Sequence, residues 1–385
     1  MSAADQARDA ILGARAKLVD LSHFVHAHPE LGYEEFESAE ATAALLENAG
    51  FSLERGIAGL PTAFRATYGS GSLHLVFCAE YDALPDVGHA CGHNIIAAAS
   101  VGAGIGLAAV ASELDLRVSV LGTPSEEGGG GKIDLLNAGV FDDVHAAMMV
   151  HPWPTERLEA QCLAVDHFDV TFMGKDAHAS AAPWEGLNAL DALTIAQVAL
   201  ALLRQQLAPG DQFHGIVKEG GSAANIIPSH VVGRFMARSI TSERLALLRE
   251  RVNACFEAGA LATGTMVRIE ELGSAFSHME SDPDILAHYR EAAQSLGRRF
   301  DLDDVGEARP TISTDMANVS LAVPSIHPLL AIPTNGAVNH QPEFTRACIT
   351  DAADQAVIDG ALALALTAIG VATDASLRQR LLLRP

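Results

Sequence analysis

The stretch Glu80-Tyr81-Asp82-Ala83-Leu84-Pro85 and the following Gly88-His89-Ala90-Cys91-Gly92-His93-Asn94 bring two acids, a thiol and two imidazoles into fifteen residues. Cys91 and His93 stand two apart, so in an extended or tightly turned loop both can face one cation. Thiolate with imidazole suits zinc or a similar borderline ion. Downstream come Glu126-Glu127 in Thr-Pro-Ser-Glu-Glu-Gly-Gly-Gly-Gly, His151 in Met-Val-His-Pro and His340 in Val-Asn-His-Gln-Pro. Singly, each has a plainer explanation: His151 as a satisfied core or surface histidine, Cys91 as a small buried hydrophobe, the paired glutamates as a solvated loop. Their joint occurrence at successive strand ends favours metal chemistry.

The elements that would have to position these groups follow from periodicity. From residue 73 the pattern alternates strand and helix: strand 73–79, Ala/Gly-rich helix 95–110, strand 116–122, short helix 132–137 closed by Gly139, and strand 144–150. In such an open parallel sheet ligands bind beyond the carboxyl ends of the strands, and Asp82, Cys91, Glu126, Glu127 and His151 all lie just past them. A second module follows: strand 167–173, helix 188–206, strands 213–219 and 231–238, helix 243–259 and strand 266–272. That β-α-β-β-α-β order is the split, ferredoxin-like arrangement. The expected organisation is an α/β catalytic domain with a mostly parallel sheet, 1–161 and 275–385, interrupted by a ferredoxin-like insert, 162–274. Helices at 283–296 and 352–369, with short apolar stretches across 324–342, complete the first domain. The Gly128–Gly131 run reads either as a flexible turn or as a close backbone approach to the metal loop.

Composition sets the outer bounds. At 385 residues, two domains are expected, and 49% hydrophobic against 19% charged residues supplies apolar material for both cores. A net charge of −23 disfavours nucleic acid and anionic membrane as partners. The five cysteines, at 78, 91, 162, 255 and 348, have no paired spacing and suit a reducing compartment. Residues 1–20 lack the basic start and unbroken apolar core of a signal peptide, and no unbroken apolar run is long enough to span a membrane. A cytoplasmic location is expected.

The motifs also resemble those of the aminoacylase and glutamate-carboxypeptidase family of dinuclear metallohydrolases, over nearly the whole chain. They are His26-Ala27-His28-Pro29-Glu30-Leu31-Gly32-Tyr33-Glu34-Glu35, Asp82-Ala83-Leu84-Pro85, His89-Ala90-Cys91-Gly92-His93, Glu126-Glu127-Gly128-Gly129, Met149-Val150-His151-Pro152, Gly174-Lys175-Asp176-Ala177-His178-Ala179, Asn225-Ile226-Ile227-Pro228, Ser313-Thr314-Asp315 and His340-Gln341-Pro342-Glu343-Phe344. The chain is most similar to the amidohydrolase branch, with auxin-conjugate hydrolases, aminobenzoyl-glutamate hydrolases and β-alanyl dipeptidases. The resemblance implies a zinc-exopeptidase type of fold with a dimerisation or lid insert. It implies that Cys91, His93, Glu127, His151 and His340 hold two divalent ions (zinc, manganese or cobalt), with Cys91 bridging and Glu126 as general base. Asp82 matches an acid that in other branches orients a histidine ligand two residues earlier. Glu80 stands at that position here. Asn94 replaces an Asp usual in the auxin-conjugate hydrolases.

In the insert, the resemblance implies that His178 reaches across a homodimer to stabilise the oxyanion, while Asn225 and Arg238 grip the substrate's free carboxylate. Trp153, Trp184 and Phe344 read either as an acyl pocket or as aromatic core. The expected activity is hydrolysis of an amide in an N-acyl amino acid or dipeptide, with peptidase action on β-alanyl or γ-linked peptides as the alternative. Two other classes compete: a thiol hydrolase with Cys91 as nucleophile and His93 or His89 as base, and a non-catalytic binding protein. The first leaves Glu127, His151 and His340 without a task. The second is at odds with an intact Glu126.

Overall fold

The computed structural model describes residues 1–300 and 311–384. Contacts divide the chain into two compact units, Met1–Gln161 with Met279–Pro385, and Cys162–His278. The second boundary falls later than the expected 274/275. The cause is local: Phe276 and Val165 exchange backbone hydrogen bonds of 3.0 and 2.8 Å, and His278 Nδ1 accepts the Ser242 N–H at 3.2 Å.

In chain order the first unit opens with α1 (Ala3–Ala27), α2 (Phe36–Asn48), β1 (Ser52–Arg55), β2 (Phe64–Tyr68), β3 (Leu73–Ala79), α3 (His93–Ala108), β4 (Leu116–Gly122), α4 (Gly131–Asn137), β5 (Ala146–Met148) and β6 (His151–Trp153). After the two-residue β7 (Gln161–Cys162) come β8 (Ala164–Met173), α5 (Ala189–Leu203), β9 (Gln212–Glu219), β10 (His230–Ser239), α6 (Ser242–Thr263) and β11 (Met266–Glu271). The return to the first unit supplies α7 (Pro283–Ser295), β12 (Thr311–Ile312), α8 (Met316–Ala322), β13 (Ser325–Ile326), β14 (Leu329–Ala331), α9 (Pro342–Ala347), α10 (Asp351–Thr373) and α11 (Ala375–Leu382).

All seven residues of β3 are buried, as a strand covered on both faces must be. It lies between β4 and β5, parallel to both, in a sheet ordered β1-β2-β4-β3-β5-β13. The hairpin β1–β2 adds an antiparallel edge, so the sheet is mixed but parallel at its centre. Helices α1, α3 and α10 pack together through small residues. A Cβ on Gly102 would come within 2.7 Å of Ala361 and 2.9 Å of Leu18, and one on Gly106 within 2.6 Å of Ile11. Helix α10 is long and apolar enough to cross a membrane, but 78% of its apolar window is buried inside the protein.

The single strand expected over 144–150 is shorter, and His151 lies in a separate one. β5 ends at Met148, and β6 then pairs in parallel with β14, with His151 opposite Leu329. β5 already pairs with β13 on its other side, and beyond Met148 the chain loses β3 but keeps this second partner through bonds from Met149 N–H to Ile326 O and His151 N–H to Pro328 O, so it follows the 325–331 segment away from β3.

In the second unit, β8 to β11 form an antiparallel sheet ordered β11-β8-β10-β9. Helices α5 and α6 bury Phe168, Phe172, Phe235 and Phe256 against it. This is the ferredoxin-like arrangement. Strand β9 is an edge, exposed along almost its whole length, with Ile216 and Val217 turned outward.

Candidate metal centre

The central strands of the first unit deliver the chemistry from their carboxyl ends. Glu80 and Asp82 follow β3 directly, and His93 opens α3. Between them Gly92 takes φ 78°, and a Cβ there would meet the Pro152 ring at 2.4 Å; only glycine allows the loop to lie this close to β6. After β4 the chain turns at Ser125, φ 56°, and presents Glu126 and Glu127. His151 opens β6. His340, at φ 71°, is anchored by its N–H on Ala90 O at 2.9 Å.

Five expected ligands meet here. Cys91 Sγ lies 3.4 Å from His151 Nε2 and 3.7 Å from His340 Nε2. His340 Nε2 is 3.5 Å from Glu127 Oε2, and His93 Nε2 is 3.9 Å from Glu127 Oε1. Donor atoms fall into the sets Cys91–His93–His151, Cys91–Glu127–His340 and Glu80–His93–Glu126, each within 4.8 Å internally. Cys91 belongs to two of them. Metal–ligand bonds of about 2.0–2.3 Å in tetrahedral geometry place donors roughly 3.3–3.8 Å apart, close to the separations seen.

The tautomers agree with that use. His93 Nδ1 lies 3.0 Å from Asp82 Oδ1, and His151 Nδ1 lies 2.8 Å from Pro152 O. Both acceptors require the ring proton on Nδ1, which leaves each Nε2 lone pair facing the cluster. His93 Nε2, Glu80 Oε2 and Glu127 Oε1 are buried without a hydrogen-bond partner. Orphaned acceptors converging in a dry interior are costly unless a cation joins them. The donor set of one thiol, three imidazoles and carboxylates fits a divalent transition ion.

Burial dominates the electrostatics. It pushes the carboxyl of Glu126 well above the usual range, helped by the charges of Glu80 and Glu127, and it raises Glu127. It pushes the Cys91 thiol well up, with Glu127 adding to the shift, and pulls His151 down to about 3. Burial also disfavours charge on His93, but the charge and hydrogen bond of Asp82 outweigh it and the net shift is upward.

Asp82, expected among the catalytic residues, stands behind the site. One carboxylate oxygen accepts from His93 Nδ1–H and the other from the Glu127 N–H at 3.0 Å. It positions two candidate ligands, and the residue it orients is His93 rather than the one two positions earlier. Sequence reasoning gives no role to the fully buried Lys132, whose Nζ donates to Glu80 Oε1 at 2.5 Å and Asp315 Oδ1 at 2.6 Å. It also overlooks His327, buried 5.4 Å, ring to ring, from His151. Asn94 is structural: its amide donates to Ser22 Oγ and Cys348 O, tying α3 to its neighbours. Phe344 is core, Trp153 is half-buried beside His151, and Trp184 is 76% exposed, so only the first matches aromatic core packing.

The remaining three site residues lie in the second unit. His178 is exposed, and its Nδ1 accepts the N–H groups of Ser180 and Ala181 at 3.3 and 3.2 Å, which leaves the proton on an outward Nε2. Asn225 sits beside it: its carbonyl accepts the Ala179 N–H at 2.9 Å, and Ile226 bridges to His178. Arg238 is elsewhere. It is at the far end of β10, opposite Val165, whereas the His178 and Asn225 loops adjoin the end where His230 pairs with Met173. Eight residue steps at ~3.4 Å each put about 27 Å between those strand ends. The structure therefore does not bring Asn225 and Arg238 together within one chain.

Comparison with known proteins bears on this centre. Residues 76–357 match Peptidase family M20/M25/M40. The chain is 39% identical over 381 residues to the Xaa-Arg dipeptidase of Mus musculus, covering 95% of this chain and 88% of the mouse protein. It is 32% identical over 280 residues to a subunit of the p-aminobenzoyl-glutamate hydrolase of Escherichia coli, covering 67% and 58% of the two chains. Among solved structures, the Bacillus subtilis YXEP protein, a dinuclear metal binding peptidase from the M20 family, superposes with a TM-score of 0.71 at 20% identity, covering 93% of this chain and 99% of that one. With the fold, the cluster and these relatives in agreement, the chain belongs to peptidase family M20/M25/M40 and is a metal-dependent hydrolase of amide bonds.

Proposed function

We propose that this hydrolase cleaves dipeptides or N-acyl amino acids whose amine-side product is an amino acid with a free α-carboxylate, and that dipeptides ending in arginine are its first substrate class. The observation that carries the catalytic part is the convergence of orphaned donors at Cys91, His93, Glu127, His151 and His340 with Glu126 beside them. The substrate class is supported by the identity to the mouse Xaa-Arg dipeptidase over 95% of the chain. Two divalent ions, zinc, manganese or cobalt, fit the two donor sets that share Cys91; bound there, they supply Lewis-acid polarisation of the carbonyl and an acidified water.

Glu126 is the general base in this reading. Its carboxylate is buried, with Oε2 3.8 Å from His93 Nε2, and its raised proton affinity suits a group that takes a proton from water and returns it to the departing amine. Glu127, its neighbour, is a ligand. Cys91 is a donor common to two ligand sets in this reading, so its sulfur is engaged by the ions, which counts against a thiol nucleophile. His178 offers an outward Nε2–H to the oxyanion, and Asn225 and Arg238 bind the carboxylate. Since a dipeptide cannot span the ~27 Å between the ends of β10, those residues serve one substrate only if two copies supply them, so the reading includes a homodimer. A cytoplasmic location is also proposed, supported by five free thiols.

The test is a panel of Xaa-Arg dipeptides, N-acyl amino acids and p-aminobenzoyl-glutamate, assayed for released amine after chelation and after adding back each metal. Arginine dipeptides are expected to lead. Turnover undiminished in protein shown to be metal-free refutes the metal mechanism, and a clear preference for aminobenzoyl-glutamate refutes the place given to arginine dipeptides as the first substrate class.

A further inference from the structure

One carboxylate at this centre is divided between two environments. Glu80 is fully buried, and its Oε1 accepts from Lys132 Nζ at 2.5 Å. Its Oε2 has no hydrogen-bond partner and points at His93 Nε2, 3.5 Å away, which is also buried and unpartnered. The His93 proton is committed to Asp82 through Nδ1, so Nε2 presents a lone pair. Two acceptors thus face each other in a dry interior. A proton between them does not resolve the conflict: 3.5 Å is longer than an N–H···O hydrogen bond of 2.7–3.2 Å, and charge-assisted bonds are shorter still. A cation between them does.

We propose that Glu80 Oε2 is a ligand of the ion held through His93, a further donor beyond the five expected ones that shares a set within 4.8 Å with His93 and Glu126, and that Lys132 and Asp315 are the residues that fix it in that role. This rests on the reading of the cluster as a metal centre. Lys132 takes one Glu80 oxygen and so turns the other toward His93. It also offsets part of the negative charge that a thiolate and three buried carboxylates accumulate around the ion. Asp315 holds Lys132 in turn, accepting from its Nζ at 2.6 Å and from its backbone N–H at 2.9 Å. The two ions then differ. One gains a fully buried carboxylate, while the other is bounded by His340, whose side chain is 59% exposed, so the first is the tighter.

Cobalt titration of metal-free protein, followed by visible absorption and by competition with a chelator, tests this without an activity readout. The wild type is expected to take up two equivalents of unequal affinity. Glu80→Gln, which keeps the shape and an oxygen for Lys132, is expected to weaken the tighter equivalent by about 10-fold or more and to shift its absorption bands, leaving the weaker one unchanged. Glu80→Asp keeps the charge and withdraws the oxygen by one methylene. It serves as a second variant with the same expected direction should the first fail to fold, as judged by circular dichroism and melting in chelator. A folded variant with both affinities and both spectra unaltered overturns the assignment of Glu80 and leaves the metal-centre reading standing. A wild type that takes up no cobalt overturns that reading itself, and this inference with it.

Discussion

The role given to Asp82 can be tested by exchanging one oxygen for an amide nitrogen. Its two oxygens, on a fully buried side chain, accept from two different donors, His93 Nδ1–H and the Glu127 N–H, each at 3.0 Å. In Asp82→Asn one acceptor becomes an NH₂ that confronts a donor whichever way the amide turns. A buried donor left without an acceptor costs about 1–3 kcal/mol. The alternative is for the His93 proton to move to Nε2, where it would occupy the lone pair needed by an ion. Either way the loss falls on metal binding. At about 1.4 kcal/mol per tenfold, that cost corresponds to roughly 5- to 150-fold, in line with the 10- to 100-fold typical when outer partners of metal-ligating histidines are removed. The assay is metal retention against a graded chelator, read by elemental analysis, alongside melting of the metal-free protein. Unchanged metal affinity in a folded Asp82→Asn protein would refute the argument that this carboxylate sets the His93 tautomer.

Adjacent glutamates should separate cleanly: Glu126→Gln keeps its metal while kcat falls by about 10² or more, whereas Glu127→Gln loses metal, and elemental analysis showing the reverse pattern would exchange their roles. Arg238→Ala should lower kcat/KM for substrates with a free carboxylate by roughly 2–5 kcal/mol of binding and barely affect their carboxamides; equal losses on both would assign Arg238 to the sheet and not to the substrate. Mixing Glu126→Ala and His178→Ala chains by joint unfolding and refolding should restore activity to about a quarter of all sites, because about half the dimers are mixed and each mixed dimer assembles one intact site. No recovery in confirmed heterodimers would place His178 in its own chain's chemistry.

The main lines of the fold are legible because each has a strong local signature. β3 is seven consecutive buried residues in an apolar run, and the insert's helices and strands alternate with clear periods, so both the parallel centre and the β-α-β-β-α-β order follow from pattern alone. What pattern does not supply is partner choice. Residues 144–150 are largely apolar, and nothing in them shows that the ladder with β3 ends at Met148 while the pairing with the 325–331 segment runs on. The β1–β2 hairpin is likewise silent; Ser52–Arg55 is short and mostly exposed, with no alternation to mark it.

The site shows the same division between chemistry carried by residue type and chemistry created by burial. Cysteine, histidine and paired glutamates announce ligand chemistry wherever they cluster after strands, and the positions that carry it do converge. Lys132 announces nothing. In sequence it is one charge in the first turn of a short helix, where a solvated lysine is the ordinary reading. Only the fold shows that it is fully enclosed, and a buried ammonium must find carboxylates; from that requirement come the pairing with Glu80 and Asp315 and the division of Glu80 between lysine and His93. In the sequence Glu80 stands out only as the wrong residue for a histidine position. Its environment gives it a different use: a carboxylate with one oxygen neutralised by a fixed cation keeps the other available to an ion, without bringing an uncompensated charge into the interior.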